Sequence, residues 1–178
     1  GNARQLIKQN IFLKYGISNT QWVETGTFFG DSTDFFVKNF SKVYSIEPSK
    51  YLFNYVVKRF KSKENIILFN DVSEMVLPKL LPNLSGDINF WLDGHYSSGL
   101  TFKGDQECPI KDELDQIGNN LKRFKKVLIL IDDIRCFLPN NKFDKYPSIN
   151  YLVDWSRKNN FNWIIEHDIF IMFNFEYN

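Results

Sequence analysis

Apolar and polar residues follow two different spacings along this chain. Segments with one spacing alternate with segments that have the other. Short segments rich in valine, isoleucine and aromatic residues have the pattern of strands, and the longer segments between them repeat apolar residues every three or four positions, as helices do. The pattern predicts strands at residues 22–24, 42–47, 65–69, 87–92, 126–131, 162–166 and 169–175. It predicts helices at residues 3–15, 31–40, 48–60, 73–81, 111–124 and 147–158, the second with Asp31 or Ser32 as its N-cap.

Strands that alternate with helices indicate βαβ units, in which parallel strands form one sheet with helices on both faces. Only His167 and Asp168 separate the last two strands, so these two must pair antiparallel. We therefore expect an α/β, Rossmann-like, doubly wound fold in a single domain, with residues 1–20 as a helical N-terminal extension and residues 21–178 as the core. The sequence leaves open whether the N-terminal helix pairs with a second copy of the chain, giving a homodimer, or covers the site.

Composition narrows the function classes only modestly. The 178 residues are 43% hydrophobic and 24% charged, which is ordinary for a globular protein and excludes disorder or a coiled coil as a description of the whole chain. No apolar run approaches the roughly 20 residues that span a bilayer. The formal net charge of +1 provides no long-range field that attracts nucleic acid. With two cysteines, no zinc motif and no apolar leader after Gly1, we expect a cytoplasmic protein, or a cytoplasmic piece of a longer one.

Acidic residues mark the end of each of the first five predicted strands. They are Glu24, Glu47, Asp71, Asp93 and the pair Asp132 and Asp133. In an open parallel sheet, ligands bind beyond the carboxyl ends of the strands, near the point where the strand order reverses. Carboxylates in such a place must be solvated, paired or bound to a ligand, because burying an isolated charge is costly. This row of acids predicts a binding site along one edge of the sheet.

A glycine turn follows the first strand, at residues 24–30 with the sequence ETGTFFG. Gly26 and Gly30 allow the backbone to approach a ligand closely, and the helix that begins at Asp31 directs its free N–H groups to the same place. The spacing E-x-G-x-x-x-G differs from the G-x-G-x-x-G of dinucleotide-binding folds. Glu47, at the end of the second strand, is placed to accept hydrogen bonds from both hydroxyls of a ribose. The glycine turn and Glu47 together favour a nucleoside as the ligand.

With this turn, Glu47, Asn70 and Asp71 after the third strand, and the closing antiparallel hairpin, residues 22–175 resemble the class I S-adenosylmethionine-dependent methyltransferases. The resemblance implies a seven-stranded sheet of order 3-2-1-4-5-7-6 with strand 7 antiparallel, and S-adenosylmethionine as cofactor. Phe28 stands where many members have a middle glycine. The cofactor residues that the resemblance implies are Glu24, Thr25, Gly26, Thr27 and Gly30 at the methionine part, Ser32 and Thr33 near its carboxylate, Glu47 at the ribose, Asp71 and the Val72 backbone at the adenine, and Asp93 at the next strand end.

A second resemblance concerns a metal. Asp93 after the fourth strand and Asp132 with Asp133 after the fifth resemble the magnesium site of metal-dependent sugar and catechol-type O-methyltransferases. Three carboxylates from adjacent strand ends suit a hard dication such as Mg²⁺, which prefers oxygen ligands and keeps waters that a substrate can displace. The alternative is that Asp132 and Asp133 cap a turn and pair with Arg135 or with a lysine.

The segment 91–99, WLDGHYSSG, supplies the predicted catalytic residues. His95 lies just past a strand end, where a histidine can act as a general base near neutral pH, and Asp93 is the other candidate for that role. The sequence blocks LDGHYSSG, ECPIKDEL and IDDIR resemble an uncharacterised bacterial-type branch of methyltransferases found among surface-polysaccharide genes. That resemblance implies O-methylation of a sugar or another small hydroxylated acceptor, as in polysaccharide modification.

Two other function classes stay open from the sequence. One is a nucleotide- or NAD-binding Rossmann enzyme, which the missing G-x-G-x-x-G and the missing Tyr-x-x-x-Lys pair disfavour. The other is a catalytically inactive methyltransferase-fold module that only binds. A nucleic-acid acceptor is not expected, because the net charge is close to zero and no Asn/Asp-Pro-Pro-Tyr motif occurs.

Overall fold

A computed structural model describes residues 2–93, 108–139 and 146–178 of the chain. The strands in these ranges are β1 Gln21–Thr25, β2 Lys42–Ile46, β3 Ile66–Phe69, β4 Gly86–Leu92, β5 Phe124–Ile131, β6 Asn162–Glu166 and β7 Ile169–Phe173. The helices are α1 Asn2–Tyr15, α2 Asp31–Asn39, α3 Lys50–Arg59, α4 Ser73–Leu80, α5 Ile110–Asn120 and α6 Ile149–Lys158. Among these described helices, none is both long enough and apolar enough to cross a membrane.

The seven described strands form one sheet in the order β3-β2-β1-β4-β5-β7-β6, which confirms the expected topology. β1 to β5 run parallel, and β7 pairs antiparallel with both β5 and β6. The last residues of the central strands are level with one another: Thr25 of β1 lies opposite Ile46 of β2 and Leu92 of β4, and Leu92 lies opposite Ile131 of β5. The strand order therefore reverses between β1 and β4, and the following residues of four strands meet at one edge, which we call the rim.

An aromatic cluster holds α1 and α2 against one face of the sheet. The rings of Trp22 in β1 and Phe36 in α2 stack 4.1 Å apart, and Phe12 of α1 lies 4.9 Å from Trp91 of β4. Phe12, Trp22 and Phe36 have no exposed surface. Such rings bury a large area and favour stacked or edge-to-face contacts. The predicted N-terminal extension is therefore packed into the core from Ile11 onward.

The helices α4, α5 and α6 cover the opposite face. Their apolar residues, such as Leu77, Leu114 and Leu152, are fully buried in one cluster with the alternate side chains of β4 and β5. Apart from the buried Asn89, the buried parts of β4 and β5 are apolar on both faces, as is typical of parallel strands with helices on each side.

Several predicted boundaries are wrong, among them the following three. The helix predicted to reach Phe124 ends at Asn120 and continues as a short 3₁₀ turn, because Phe124 pairs with Gly86 in the sheet and packs its ring near Phe90. α2 is capped by Gly30 with φ +90°, not by Asp31 or Ser32, because the turn enters the helix through a left-handed residue. The last strand ends at Phe173 instead of residue 175.

Candidate functional site

The glycine turn is folded tightly against the ends of β2 and β4. Gly26 has φ +85°, a conformation that glycine adopts without strain, and its N–H donates to the Ile46 carbonyl at 2.9 Å. A Cβ at Gly26 would lie 3.0 Å from Oδ2 of Asp93. Phe28, in place of the middle glycine, itself adopts φ +55°. The turn thus needs a left-handed residue at this position, and the chain accepts the strain of a phenylalanine there.

Glu47 closes the turn from the β2 side. Its Oε1 accepts a hydrogen bond from the Phe28 N–H at 2.9 Å, and its Oε2 accepts one from the Ser49 N–H at 2.8 Å. Burial raises the pKa of Glu47, and these two backbone hydrogen bonds act in the opposite direction. A carboxylate has about four acceptor positions, so these two bonds do not use all of them, but Glu47 is only 3% exposed.

Glu24 supports the turn from inside the sheet. It is 1% exposed, and one of its oxygens accepts hydrogen bonds from the hydroxyls of Thr33 and Ser45, the latter at 2.7 Å. Burial raises its pKa to about 7. Thr33, which the resemblance places near a methionine carboxylate, is fully buried and uses its hydroxyl for Glu24. The geometry therefore gives Thr33 the role of positioning Glu24, and leaves the adjacent Ser32 as the hydroxyl nearer the surface.

The two other threonines of the turn also make internal contacts. Thr25 accepts a hydrogen bond from the Asp93 N–H at 3.1 Å, which ties the ends of β1 and β4 together. The hydroxyl of Thr27 lies 2.5 Å from that of Ser45. Both threonines are buried, and their side-chain contacts help to fix the path of the backbone.

The end of β3 lies at the outer part of the rim. Asp71 is exposed, and its Oδ1 accepts a hydrogen bond from the Val72 N–H at 2.8 Å. The side chain of Asn70 donates to the Glu47 carbonyl at 2.9 Å, which places Asp71 beside the end of β2. A cavity of about 410 Å³ opens here between Asp71 and the residues Met75 and Lys79 of α4. The Val72 N–H, which was predicted to meet the adenine, is thus already hydrogen-bonded within the chain.

The three aspartates predicted to bind a metal do converge. One carboxylate oxygen from each of Asp93, Asp132 and Asp133 lies within 4.8 Å of the others, and we call this group the acid cluster. Asp132 and Asp133 are 6% and 4% exposed. Burial raises the pKa of Asp132, while the charge of Lys8 acts to lower it.

The alternative ion pairs are present in the same cluster. Lys8 lies 3.2 Å from Oδ2 of Asp132. Arg4 and Arg135 lie 2.6 and 2.8 Å from Oδ1 of Asp133. The donor set, three carboxylates on a rigid rim, fits Mg²⁺ by its chemistry, but a cation at this place must compete with the two cationic side chains of α1.

Coverage of the site by α1 was one of two possibilities left open by the sequence, but no residue of α1 was predicted to take part in it. Gln5 donates a hydrogen bond to the Ser32 hydroxyl at 3.3 Å, and Lys8 lies over the ring of Trp91 at 5.6 Å. A cavity of about 190 Å³ between α1 and the glycine turn is lined by Gln5, Lys8, Gly26 and Asp93. A larger one of about 650 Å³ shares several of these residues and extends to the acid cluster. α1 therefore lies over the candidate site, and pairing of this helix with a second copy of the chain stays a prediction.

A buried acid on α5 is a further residue that the sequence analysis missed. Glu113 is 1% exposed and, within the described residues, neither of its oxygens has a hydrogen-bond partner of acceptable geometry. Burial raises its pKa to about 8, although the Ser73 and Thr25 hydroxyls are near enough to lower it. A signal was available, because Glu113 falls on the apolar stripe of α5 with Ile110 and Ile117. The predicted base His95 lies outside the described residues.

Comparison with known proteins shows the fold. No protein-family model and no curated protein matches the chain. A Streptococcus mutans protein assigned as a methyltransferase and solved in complex with SAH has a TM-score of 0.62 at 12% identity, with 94% of each chain covered. A SAM-dependent methyltransferase from Aquifex aeolicus has a TM-score of 0.58 at 15% identity, covering 95% of this chain and 89% of its own. An rRNA methylase from Streptococcus thermophilus has a TM-score of 0.55 at 14% identity, covering 93% of this chain and 92% of its own. The chain therefore has the Rossmann-like fold of the class I S-adenosylmethionine-dependent methyltransferases.

Proposed function

We propose that this protein is an S-adenosylmethionine-dependent methyltransferase that methylates a hydroxyl of a sugar or another small hydroxylated acceptor. One observation carries the proposal. The left-handed glycine turn after β1 is closed by Glu47 and faces Asp93, at the point where the strand order of the sheet reverses. Ligands of doubly wound sheets bind at this point. A structure of the same fold, similar to this chain over 94% of its length, was solved with SAH bound.

The residues around the turn suit the two ends of the cofactor. Glu47 keeps acceptor positions beyond its two backbone hydrogen bonds for the ribose hydroxyls, and Asp71 is exposed where the adenine would lie. Ser32 and the free N–H groups at the start of α2 suit the methionine carboxylate, because the N-terminus of a helix favours an anion. Gln5 and Lys8 extend the same polar surface from above.

The chemistry requires orientation and removal of one proton. Bound S-adenosylmethionine supplies a methyl group on a positively charged sulfur, which is already a strong electrophile. The chain has to hold the acceptor hydroxyl in line with that methyl group and take up its proton as the new O–C bond forms and the S–C bond breaks, which leaves neutral S-adenosylhomocysteine. Asp93 is suitable for this task by its half-buried position next to Gly26. His95, two residues further on, is the alternative base.

Assistance by Mg²⁺ is part of the proposal and rests on the acid cluster. Asp93, Asp132 and Asp133 would hold the ion, and a metal there lowers the pKa of an acceptor hydroxyl. The ion pairs of Lys8 and Arg4 with Asp132 and Asp133 are the observation against it, since they already compensate two of the three carboxylates.

Titration calorimetry tests the cofactor. We expect S-adenosylmethionine and S-adenosylhomocysteine to bind and NAD not to bind. Glu47→Gln should weaken S-adenosylhomocysteine about 10-fold, because the amide loses the charge and one of the acceptor positions that a ribose needs. Glu64→Gln, an exposed acid between α3 and β3, is the matched control and should leave binding unchanged. Binding of NAD without any response to either sulfur compound would instead establish the nucleotide- or NAD-binding alternative.

A transfer assay tests the acceptor and separates the enzyme from an inactive module. Protein incubated with S-adenosylmethionine carrying a radioactive methyl group is offered a bacterial saccharide fraction and, separately, ribosomal RNA. We expect label in the saccharide and a loss of at least 100-fold with Asp93→Asn. Labelled RNA would refute the expectation of a small acceptor, which rests on the near-zero net charge of the chain. Cofactor binding without labelling of either acceptor would support the inactive module.

A further inference from the structure

The two halves of α1 are held to the molecule in different ways. In the second half, Ile11 and Phe12 are buried among the aromatic rings of β1, α2 and β4. In the first half, Leu6 and Ile7 are 59% and 40% exposed. This first half, residues 2–8, lies next to three cavities instead of a packed surface: the two described above and a third of about 350 Å³, toward the β6–β7 turn.

The contacts that hold the first half go to the site itself. Arg4 pairs with Asp133, Lys8 pairs with Asp132, and Gln5 donates to Ser32. The two ion pairs join residues far apart in the chain, and their acid partners are almost completely buried. Ion pairs with a buried carboxylate are screened less by solvent than surface pairs, so they can fix the position of this short segment.

We propose that residues 2–8 form a strap which Arg4 and Lys8 hold closed over the site, and which opens when a divalent cation binds the acid cluster. The proposal rests on the metal-assisted form of the proposed function. A divalent cation brings the same two positive charges that Arg4 and Lys8 bring together, so it can replace them without leaving the carboxylates uncompensated. Arg135 also pairs with Asp168 and can stay in place.

The expected consequence is a reciprocal coupling between metal and strap. Arg4 and Lys8 weaken metal binding because they occupy the same oxygens, and the metal weakens the hold of the strap to the same degree. An opened strap would expose the cavity between α1 and the glycine turn, while the second half of α1 stays anchored by Phe12.

Calorimetry with MgCl₂ or MnCl₂ on the full chain measures the first side of this coupling. We expect the double variant Arg4→Met with Lys8→Met to bind the ion at least 10-fold more tightly than the unaltered protein. Methionine keeps much of the apolar stem of each side chain. The control variant Lys58→Met with Lys61→Met loses the same charge at exposed positions away from α1 and should bind like the unaltered protein. Equal tightening in both variants, or no ion binding in any of the three, overturns the proposal.

Hydrogen exchange followed by mass spectrometry measures the second side. The N–H groups of residues 6–8 lie within α1, and their exchange should become at least 10-fold faster when MgCl₂ is added to the unaltered protein. In the Arg4 and Lys8 double variant, exchange should be fast without the ion and should not respond to it. If the ion binds and exchange of these groups stays unchanged, the strap is refuted. These measurements use the metal ion alone and no S-adenosylhomocysteine, so failure of the strap can be told apart from failure of the methyltransferase proposal.

Discussion

Replacing Gly26 by alanine should weaken binding of S-adenosylhomocysteine at least 100-fold, the largest effect on binding that we expect from a single methyl group in this protein. Two causes add. A Cβ at Gly26 would lie 3.0 Å from Oδ2 and 3.1 Å from Cβ of Asp93, so Asp93 must move away from the turn. The left-handed backbone, with φ +85°, costs alanine about 1–2 kcal/mol, which the chain can relieve only by reshaping the turn.

Gly86 provides the matched control for this experiment. It has nearly the same backbone conformation, with φ +79°, but a Cβ there would have no other atom within 4 Å. The Gly86→Ala variant should therefore lose about as much folding stability as Gly26→Ala. Its affinity for S-adenosylhomocysteine should stay within about 2-fold of that of the unaltered protein. Calorimetry measures binding by both variants, and urea unfolding compares their stability. Together they separate the effect of backbone strain from that of the contact with Asp93. If Gly26→Ala binds as tightly as Gly86→Ala, the turn is not the cofactor site and the proposed function fails.

Glu113→Gln should raise the free energy of unfolding at pH 8.5 by a few kcal/mol and have little effect at pH 5. The folded protein holds the Glu113 proton up to about pH 8, because burial disfavours the charged form. The unfolded chain releases this proton near pH 4.5. Since the folded pKa is raised, the stability that this group provides is complete below pH 4.5 and decreases by about 1.4 kcal/mol per pH unit as the pH rises toward 8.

Urea unfolding at pH 5, 7 and 8.5 measures this dependence. Glu24, Glu47 and Asp132 also have raised pKa values through burial, so the unaltered protein should lose stability over the same range for several reasons together. The difference between Glu113→Gln and the unaltered protein isolates one carboxyl. Asp115→Asn, exposed on the same helix, is the control and should follow the unaltered protein. If the stability of Glu113→Gln decreased with pH as much as that of the unaltered protein, Glu113 would have to be ionised in the folded state.

Most of the fold could be predicted from the sequence because it depends on local spacing. β4 and β5 are short apolar runs bounded by turns, and residues 167 and 168 leave room only for a tight hairpin, so the strand types and the antiparallel last pair followed directly. The boundary at Phe124 could not be predicted in this way. Its apolar ring suits both a helix and a strand, and the choice was made by its pairing with Gly86, which lies far away in the sequence.

Part of the candidate site could also be predicted from the sequence. The convergence of Asp93, Asp132 and Asp133 followed from their positions at the ends of neighbouring strands. The burial of Thr33 against Glu24 did not, because a hydroxyl in the first turn of a helix can face either the ligand or the sheet, and only packing decides. His95 lies outside the described residues and stays a prediction.

The sequence by itself determined which residues stand at the strand ends, since hydrophobic period and turn chemistry are properties of neighbouring residues. It thereby determined the row of acids, whereas the order of the strands in the sheet was implied by the resemblance to the methyltransferases. Only the tertiary structure decided where α1 lies and which charges compensate the acid cluster. Arg4 and Asp133 are 129 residues apart, and no local spacing relates two positions so distant. Their pairing exists because Phe12 anchors the helix against Trp91, which brings the first turns of α1 over the rim.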